Sequence, residues 1–255
     1  MSSIYAPSKS LSARVNRRLT PFQAKRNLNL NLDRPIISIT FDDCPKSVIQ
    51  NAVPLIEQEG WQASLYMAMG LCGFTNHLGL HMSEDDVKAA YASGHEIADH
   101  TFSHVDATTI SLEELKKEIN KNQARINELG LPPSQTFAYP YGQTNVKIKK
   151  YMEKKFKGAR GITSRVHRST IDLNQINSNR LYSGQKFDSL AKEISDLKQN
   201  PGWMTIYTHD VRDTPSQFGC TPEEFKHTIE AIKNSGARVM TVANAIDFLE
   251  SNHAS

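Results

Sequence analysis

The apolar run from Ile36 to Phe41 ends in two adjacent carboxylates, Asp42 and Asp43. Neighbouring side chains on a strand point to opposite faces, so the end of a strand is where two such groups can converge on one cleft. Further along, His100 and His104 stand four residues apart in "HEIADHTFSH". Imidazoles at that spacing can share one helical turn and bite one metal ion. One added carboxylate gives three protein ligands and leaves positions for water, the make-up of an open, catalytic-type site. Surface histidines meet at this spacing by chance as well; the weight lies in an acidic pair at one strand end combined with a histidine pair at another. His95, inside the same run, reads as a buried, hydrogen-bonded ring. "FAYPYG" (137–142) stops a strand with Tyr139, Pro140, Tyr141 and Gly142, a sharp turn able to aim a backbone N–H and two aromatic faces into a pocket. "MTIYTHD" (204–210) ends on His209, a further titratable imidazole.

These groups act together only if the elements carrying them end on one rim. "RPIISITFDD" is rich in β-branched residues and reads as a buried strand, followed by helix-compatible Val48, Ile49, Val53, Leu55 and Ile56 up to Gly60. "WQASLYMAMG" gives a second strand, and "SEDD" from Ser83 has the form of a capping box opening a helix that stops before Gly94. "HEIADH" is a third strand. "SLEEL" from Ser111 is a second capping box, with Leu112, Leu115, Ile119 and Ile126 marking the buried face of its helix before Gly130. Strands follow around 135–139, 158–162 and 203–208, then a helix capped by Thr221 with Pro222 at its first position. "RVMTV" and a closing helix to about Leu249 end the series. Such alternation implies a parallel sheet with crossovers. About seven units predict a distorted, closed or nearly closed (β/α) barrel with its chemistry at the C-terminal strand ends.

At 255 residues, 38% hydrophobic and 22% charged, the chain has the composition of a globular domain rather than a disordered or fibrous one. No apolar stretch approaches the roughly 18 residues needed to span a bilayer. Residues 1–20 lack an apolar signal core, so the expectation is a cytoplasmic protein. The odd set Cys44, Cys72 and Cys220 fits reduced thiols. Charge is unevenly placed: residues 1–35 carry seven basic side chains against Asp33 alone, net +6, whereas the whole chain is +3. The chain thus divides into a basic arm, 1–35, and a slightly acidic body, 36–255. The arm has several readings: contact with anionic lipid at the inner membrane surface, binding of a phosphorylated substrate, an organellar transit peptide, or packing on its own domain. The packed reading turns Leu11, Val15, Leu19 and Phe22 inward at helical spacing. A nucleic-acid role is disfavoured, because the body is acidic and the arm carries no aromatics beyond Tyr5 and Phe22. Oligomeric state is not set by these features.

"TFDD", "HTFSH", "YPYG" and "IYTHD" resemble, in order and spacing, the motifs of the NodB-homology polysaccharide deacetylases, carbohydrate esterase family 4, over residues 36–249. The resemblance implies a hydrolase of carbon–nitrogen bonds other than peptide bonds, removing N-acetyl groups from a sugar in a glycan or its precursor. It implies Asp42 as general base, Asp43, His100 and His104 as ligands of a divalent metal, the Tyr141 backbone N–H as oxyanion donor, and His209 as general acid. Zinc suits a donor set of one carboxylate and two imidazoles, with cobalt, nickel or manganese as alternatives. The sequence departs from the family where "TFDDCP" has Cys44 in place of a glycine, and where Ala138 stands at the position of an arginine that steadies the base. No segment matches the family's fourth motif, which contains Asp and Trp. Arg160 in "GARGI" is either a substitute from the next strand or an ordinary ion pair. Competing functions are an O-acetyl esterase or non-sugar amidase on the same barrel, and a silent carbohydrate-binding relative. The last would have no need of Asp42 and His209.

Overall fold

The computed structural model describes residues 7, 10, 17–184 and 187–252. Its main sheet holds eight parallel strands: β1 (Ile36–Asp42), β2 (Ser64–Met67), β3 (Glu96–Asp99), β4 (Thr136–Ala138), β5 (Gly158–Arg160), β6 (Asn179–Arg180), β7 (Trp203–Thr208) and β8 (Arg238–Val239). Seven follow one path, β6-β7-β1-β2-β3-β4-β5, and β8 pairs with the start of β1. β1 is central. One edge pairs along its length with β7; the other meets β8 at Ile36 and Ile37 and β2 from Thr40 onward. All seven of its residues are buried, and they alternate. Ile37, Ile39 and Phe41 enter the large apolar core. On the opposite face the Trp203 indole N–H donates to Ser38 Oγ at 3.0 Å, and Thr40 donates to the Ile206 carbonyl at 2.9 Å. Asp42 is the next residue on that polar, inward face.

Between β5 and β6 no full ladder forms. The chain leading into β6 stitches the edges instead: Ile176 N–H donates to the Ala159 carbonyl and Gly161 N–H to the Ile176 carbonyl, both at 2.8 Å. The expected distorted barrel is therefore present, drawn nearly closed by one connecting segment rather than by a further strand.

Seven α-helices cover the sheet among the described residues: α1 (Val53–Gln58, preceded by the π-turn Val48–Ala52), α2 (Glu84–Ala92), α3 (Leu112–Glu128), α4 (Val146–Lys155), α5 (Phe187–Asp196), α6 (Pro222–Ser235) and α7 (Val242–Ser251). Reciprocal capping boxes start α2 (Ser83 with Asp86), α3 (Ser111 with Glu114) and α6 (Thr221 with Glu224). Each cap contributes about 1 kcal/mol. No helix among the described residues is long and apolar enough to cross a membrane.

Within the basic segment, Asn27–Asn29 pairs antiparallel with Thr170–Asp172, and Leu28, Leu30 and Leu32 join a core with Ile36, Ile171 and Trp203. The buried Lys149 Nζ donates to Asp172 at 2.7 Å and to the Thr20 carbonyl at 3.3 Å. The inward-facing stripe fares differently. Leu11 and Val15 lie outside the described residues, while Leu19 and Phe22 are 50% and 75% exposed.

His167, buried beside β7, accepts from the Asn177 N–H at 3.0 Å through Nε2. Burial pushes its pKa down to about 4. The unfolded chain then binds the extra proton first as pH falls, so this group's contribution is complete above about pH 6.5 and is lost on the way to about pH 4. The expected difference between parent and His167→Gln is about 3 kcal/mol over that window, read from urea unfolding at each pH.

Candidate active site

β1 ends with Asp42 inside the strand and Asp43 one step beyond it, at φ +59°. Cys44 N–H donates back to the Asp42 carbonyl at 2.6 Å, a turn tight enough to swing the second carboxylate toward the side the first already faces. Cys44 itself sits at φ +48°. A glycine would adopt that conformation without strain, which accounts for the family's usual residue there. The His81 ring bonds the Asp43 carbonyl at 2.9 Å through Nδ1 and steadies the turn from outside.

His100 and His104 follow β3, but on a loop and not on the helical turn their spacing suggested. Thr101 at φ +61° and His104 at φ +53° fold this loop back on itself, so that the two rings lie 4.8 Å apart, centroid to centroid. Side chains fix the loop: Asp99 accepts from the Thr101 N–H at 2.9 Å, Thr101 Oγ1 from the Val105 N–H at 3.2 Å, and Glu118 from the Ser103 N–H at 2.8 Å. Non-glycine residues at positive φ cost free energy and gather where a site demands them.

Asp43, His100 and His104 present ligand atoms within 4.8 Å of one another. His104 Nε2 is 3.4 Å and His100 Nε2 3.8 Å from Asp43 Oδ1. Asp43 Oδ1 is buried without a hydrogen-bond partner. A desolvated carboxylate oxygen left so between two imidazoles suits a cation better than an apolar filling. His100 Nδ1 lies 2.8 Å from the Ala138 carbonyl; donation there leaves the Nε2 lone pair facing Asp43. Burial pushes His100 down to about 4, so near neutral pH it is the uncharged ring that a metal requires. Burial also favours a neutral Asp43, but the facing His104 and His100 outweigh it and hold that carboxyl below the usual range.

Asp42 meets a different partner. The Arg160 guanidinium, fully buried, bonds its carboxylate and lies between the Tyr66 and Tyr207 rings, 4.9 and 5.0 Å from their centroids. Burial alone would raise the Asp42 pKa; Arg160, aided by His100 and His209, reverses this and keeps the group ionised. Arg160 and Ala138 are register partners on β5 and β4, so the cation arrives from one strand further round.

The remaining motifs reach the same rim. Tyr141, at φ +58° in the turn Pro140–Gly142, places its hydroxyl 3.1 Å from His104 Nδ1. His209 Nδ1 lies 3.2 Å from the Phe218 carbonyl, in a cage of Tyr182, Tyr207 and Phe218 with ring centroids 6.0, 6.3 and 5.6 Å away. Asp42, Asp43, His100, His104, Tyr141 and His209 all line one cleft of about 760 Å³. Sequence reasoning passed over His77, Tyr182, Tyr207 and Phe218, which line it too. Only Tyr207 had a signal, its position near the end of β7, two residues before His209.

Residues 29–156, about half the chain, match the family model described as polysaccharide deacetylase, and the chain belongs to that family. A Bacillus subtilis (strain 168) protein, YxkH, whose name places it among polysaccharide deacetylases, is 26% identical over 140 residues, 53% of this chain. The chain spans about half, 48%, of that relative's length. Two solved structures share the fold. The Xyl-CE4 domain of a multidomain xylanase from the hindgut metagenome of Trinervitermes trinervoides is 19% identical, with a TM-score of 0.60 covering 84% of this chain and 91% of that one. The chitin deacetylase of the fungal pathogen Colletotrichum lindemuthianum is 15% identical, with a TM-score of 0.61 covering 84% and 89%.

Proposed function

We propose that this protein is a metal-dependent hydrolase that removes N-acetyl groups from an N-acetylated sugar in a glycan or glycan precursor. The observation that carries the reading is the partnerless, buried Asp43 oxygen between His100 and His104, in the same cleft as an ionised carboxylate, Asp42, that is not part of the triad. Asp43, His100 and His104 hold a divalent ion, zinc by preference for this donor set. Bound there, the ion supplies Lewis-acid polarisation of the acyl group and lowers the pKa of water. Asp42, kept ionised by Arg160, accepts the proton of the attacking water. The Tyr141 backbone N–H donates to the oxyanion, a contribution of roughly 3 kcal/mol for one such donor. His209, with Nδ1 engaged by the Phe218 carbonyl, presents Nε2 to the departing nitrogen and protonates it. The aromatic cage around His209 offers apolar faces to a sugar ring.

The test is acetate release from a panel of N-acetylated oligosaccharides by parent protein, metal-stripped protein and metal-restored protein. Release should vanish on stripping and return with zinc. The His100→Ala, His104→Ala double variant should lose bound metal; full occupancy in it would remove the triad. His209→Ala should slow an N-acetyl substrate far more than an O-acetyl one, because an alkoxide leaves with less need of a proton than an amine does. Equal slowing of both substrates would take His209 out of the acid role, and turnover of esters alone would favour the esterase reading.

A further inference from the structure

A second groove of about 830 Å³ lies beside the catalytic cleft, and the function proposed above makes no use of it. Arg17, Arg18 and Lys25 from the basic segment line it together with Arg165 and Arg168 from the body. Its acids are fewer and partly engaged: Asp172 already accepts from Lys149 at 2.7 Å and from the Arg26 N–H at 2.9 Å, which leaves Glu193. Arg168 is bound to Asp196 at 2.8 Å. No salt bridge among the described residues occupies Arg18 or Arg165, and both are exposed. His167 in the floor is neutral above about pH 4 and adds no charge. The groove is therefore strongly positive, built by two parts of the chain far apart in sequence.

It is also joined to the cleft. Arg17 lines both, and its Nη1 donates to Gln143 Oε1 at 3.2 Å. Gln143 Nε2 donates in turn to the Tyr141 carbonyl at 3.2 Å, and Tyr141 touches His104. Arg17 and Gln143 thus stand between the two spaces, so a substrate long enough to pass them can occupy both. Guanidinium forks bind phosphate and carboxylate oxygens bidentately, and the volume is that of a pocket for a whole organic group rather than a single small ion.

We propose that this groove binds the phosphate or diphosphate ester of the substrate, so that the sugar to be deacetylated is carried on a phosphorylated group. The inference rests on the deacetylase reading for its role but not for its detection. Isothermal titration of inorganic pyrophosphate into the full chain should show saturable binding that weakens with added salt. Arg18→Ala with Arg165→Ala should weaken it roughly tenfold or more, since each lost charge-assisted hydrogen bond has that order of effect. Lys117→Ala with Lys226→Ala, two exposed lysines that do not line the groove, serves as the charge-matched control and should bind as the parent does.

Absence of saturable binding overturns the proposal. So does binding unchanged in the arginine variant, which would indicate capture by a metal in the catalytic cleft, or equal loss in the control, which would indicate diffuse attraction. Vesicles of phosphatidylcholine with phosphatidylglycerol distinguish two sources of the ester. Pelleting displaced by pyrophosphate places it on a lipid headgroup, whereas pyrophosphate binding without pelleting places it on a soluble carrier; each outcome supports the groove. Pyrophosphate binding in a protein that releases no acetate from any sugar would sink the deacetylase reading and leave the anion site standing.

Discussion

Replacing Asp42 by Asn should lower acetate release by roughly a hundredfold to ten-thousandfold, the range associated with losing a positioned general base. An amide accepts no proton from water, and among the described residues no other carboxylate lines the cleft except Asp43, which belongs to the cluster proposed to hold the metal. Metal content should stay at the parent level because Asp42 is not among the three residues proposed to hold the ion. The substitution has a second consequence. It leaves the buried Arg160 guanidinium without its carboxylate, so the variant should also be less stable, and turnover must be measured well below its melting temperature. Adding Arg160→Met to Asp42→Asn removes the stranded charge. The double variant should regain stability while remaining inactive, which separates lost chemistry from a lost fold. Activity within a few-fold of the parent in either variant would remove Asp42 from the base role.

The strand ends were legible because each motif sits where an apolar run meets a turn, and the period of the apolar residues sets the elements on either side. Asp42 and Asp43 follow "IISITF", and Ser111 and Thr221 announce their helices through the acid three residues on. α4 carried no comparable signal: "VKIKKYMEKK" buries Lys149 along with Ile148 and Met152, and a lysine is counted as surface until its partner Asp172 is known. Strands of two or three residues, such as Asn179–Arg180, are too short for any period to show. The site's backbone was illegible for a different reason. Asp43, Cys44, Thr101, His104 and Tyr141 all take positive φ, which side-chain type predicts for glycine or asparagine. Local preference was overruled there by what the surrounding bonds impose. His100 and His104 thus meet by loop reversal and not by helical spacing, a result with the same partners and a different cause.

Arg160 shows what register adds to sequence. The arginine expected ahead of "YPYG" is absent, and Ala138 in its place leaves room across the barrel interior. Because Ala138 and Arg160 are partners on neighbouring parallel strands, a side chain from β5 occupies the direction one from β4 would have used. Parallel pairing keeps the two positions at the same height, so the cation reaches Asp42 although it lies 118 residues further along the chain.

Arg160→Met should therefore be among the most damaging single changes in the protein, costing roughly 3–5 kcal/mol of stability as breaking one side of a buried ion pair does. The shape of the long side chain is retained between Tyr66 and Tyr207, so the loss reports the charge and not a cavity. Its effect on catalysis has a definite sign. Burial is the largest influence on Asp42 and acts to raise its pKa, with Arg160 the foremost opposing group; without the arginine the carboxyl binds its proton at higher pH. The acid limb of the kcat–pH profile should move upward in Arg160→Met, with activity recovering toward alkaline pH as Asp42 ionises again. Arg160→Lys, which keeps the charge but loses the planar fork, should show a smaller displacement in the same direction. A purely structural arginine would lower the melting temperature and leave the profile where it was. Stability, measured by urea unfolding, closes the cycle: if Arg160 and Asp42 act as a pair, the Asp42→Asn, Arg160→Met double variant should be more stable than either single one, whereas additive losses would show that the two side chains contribute independently.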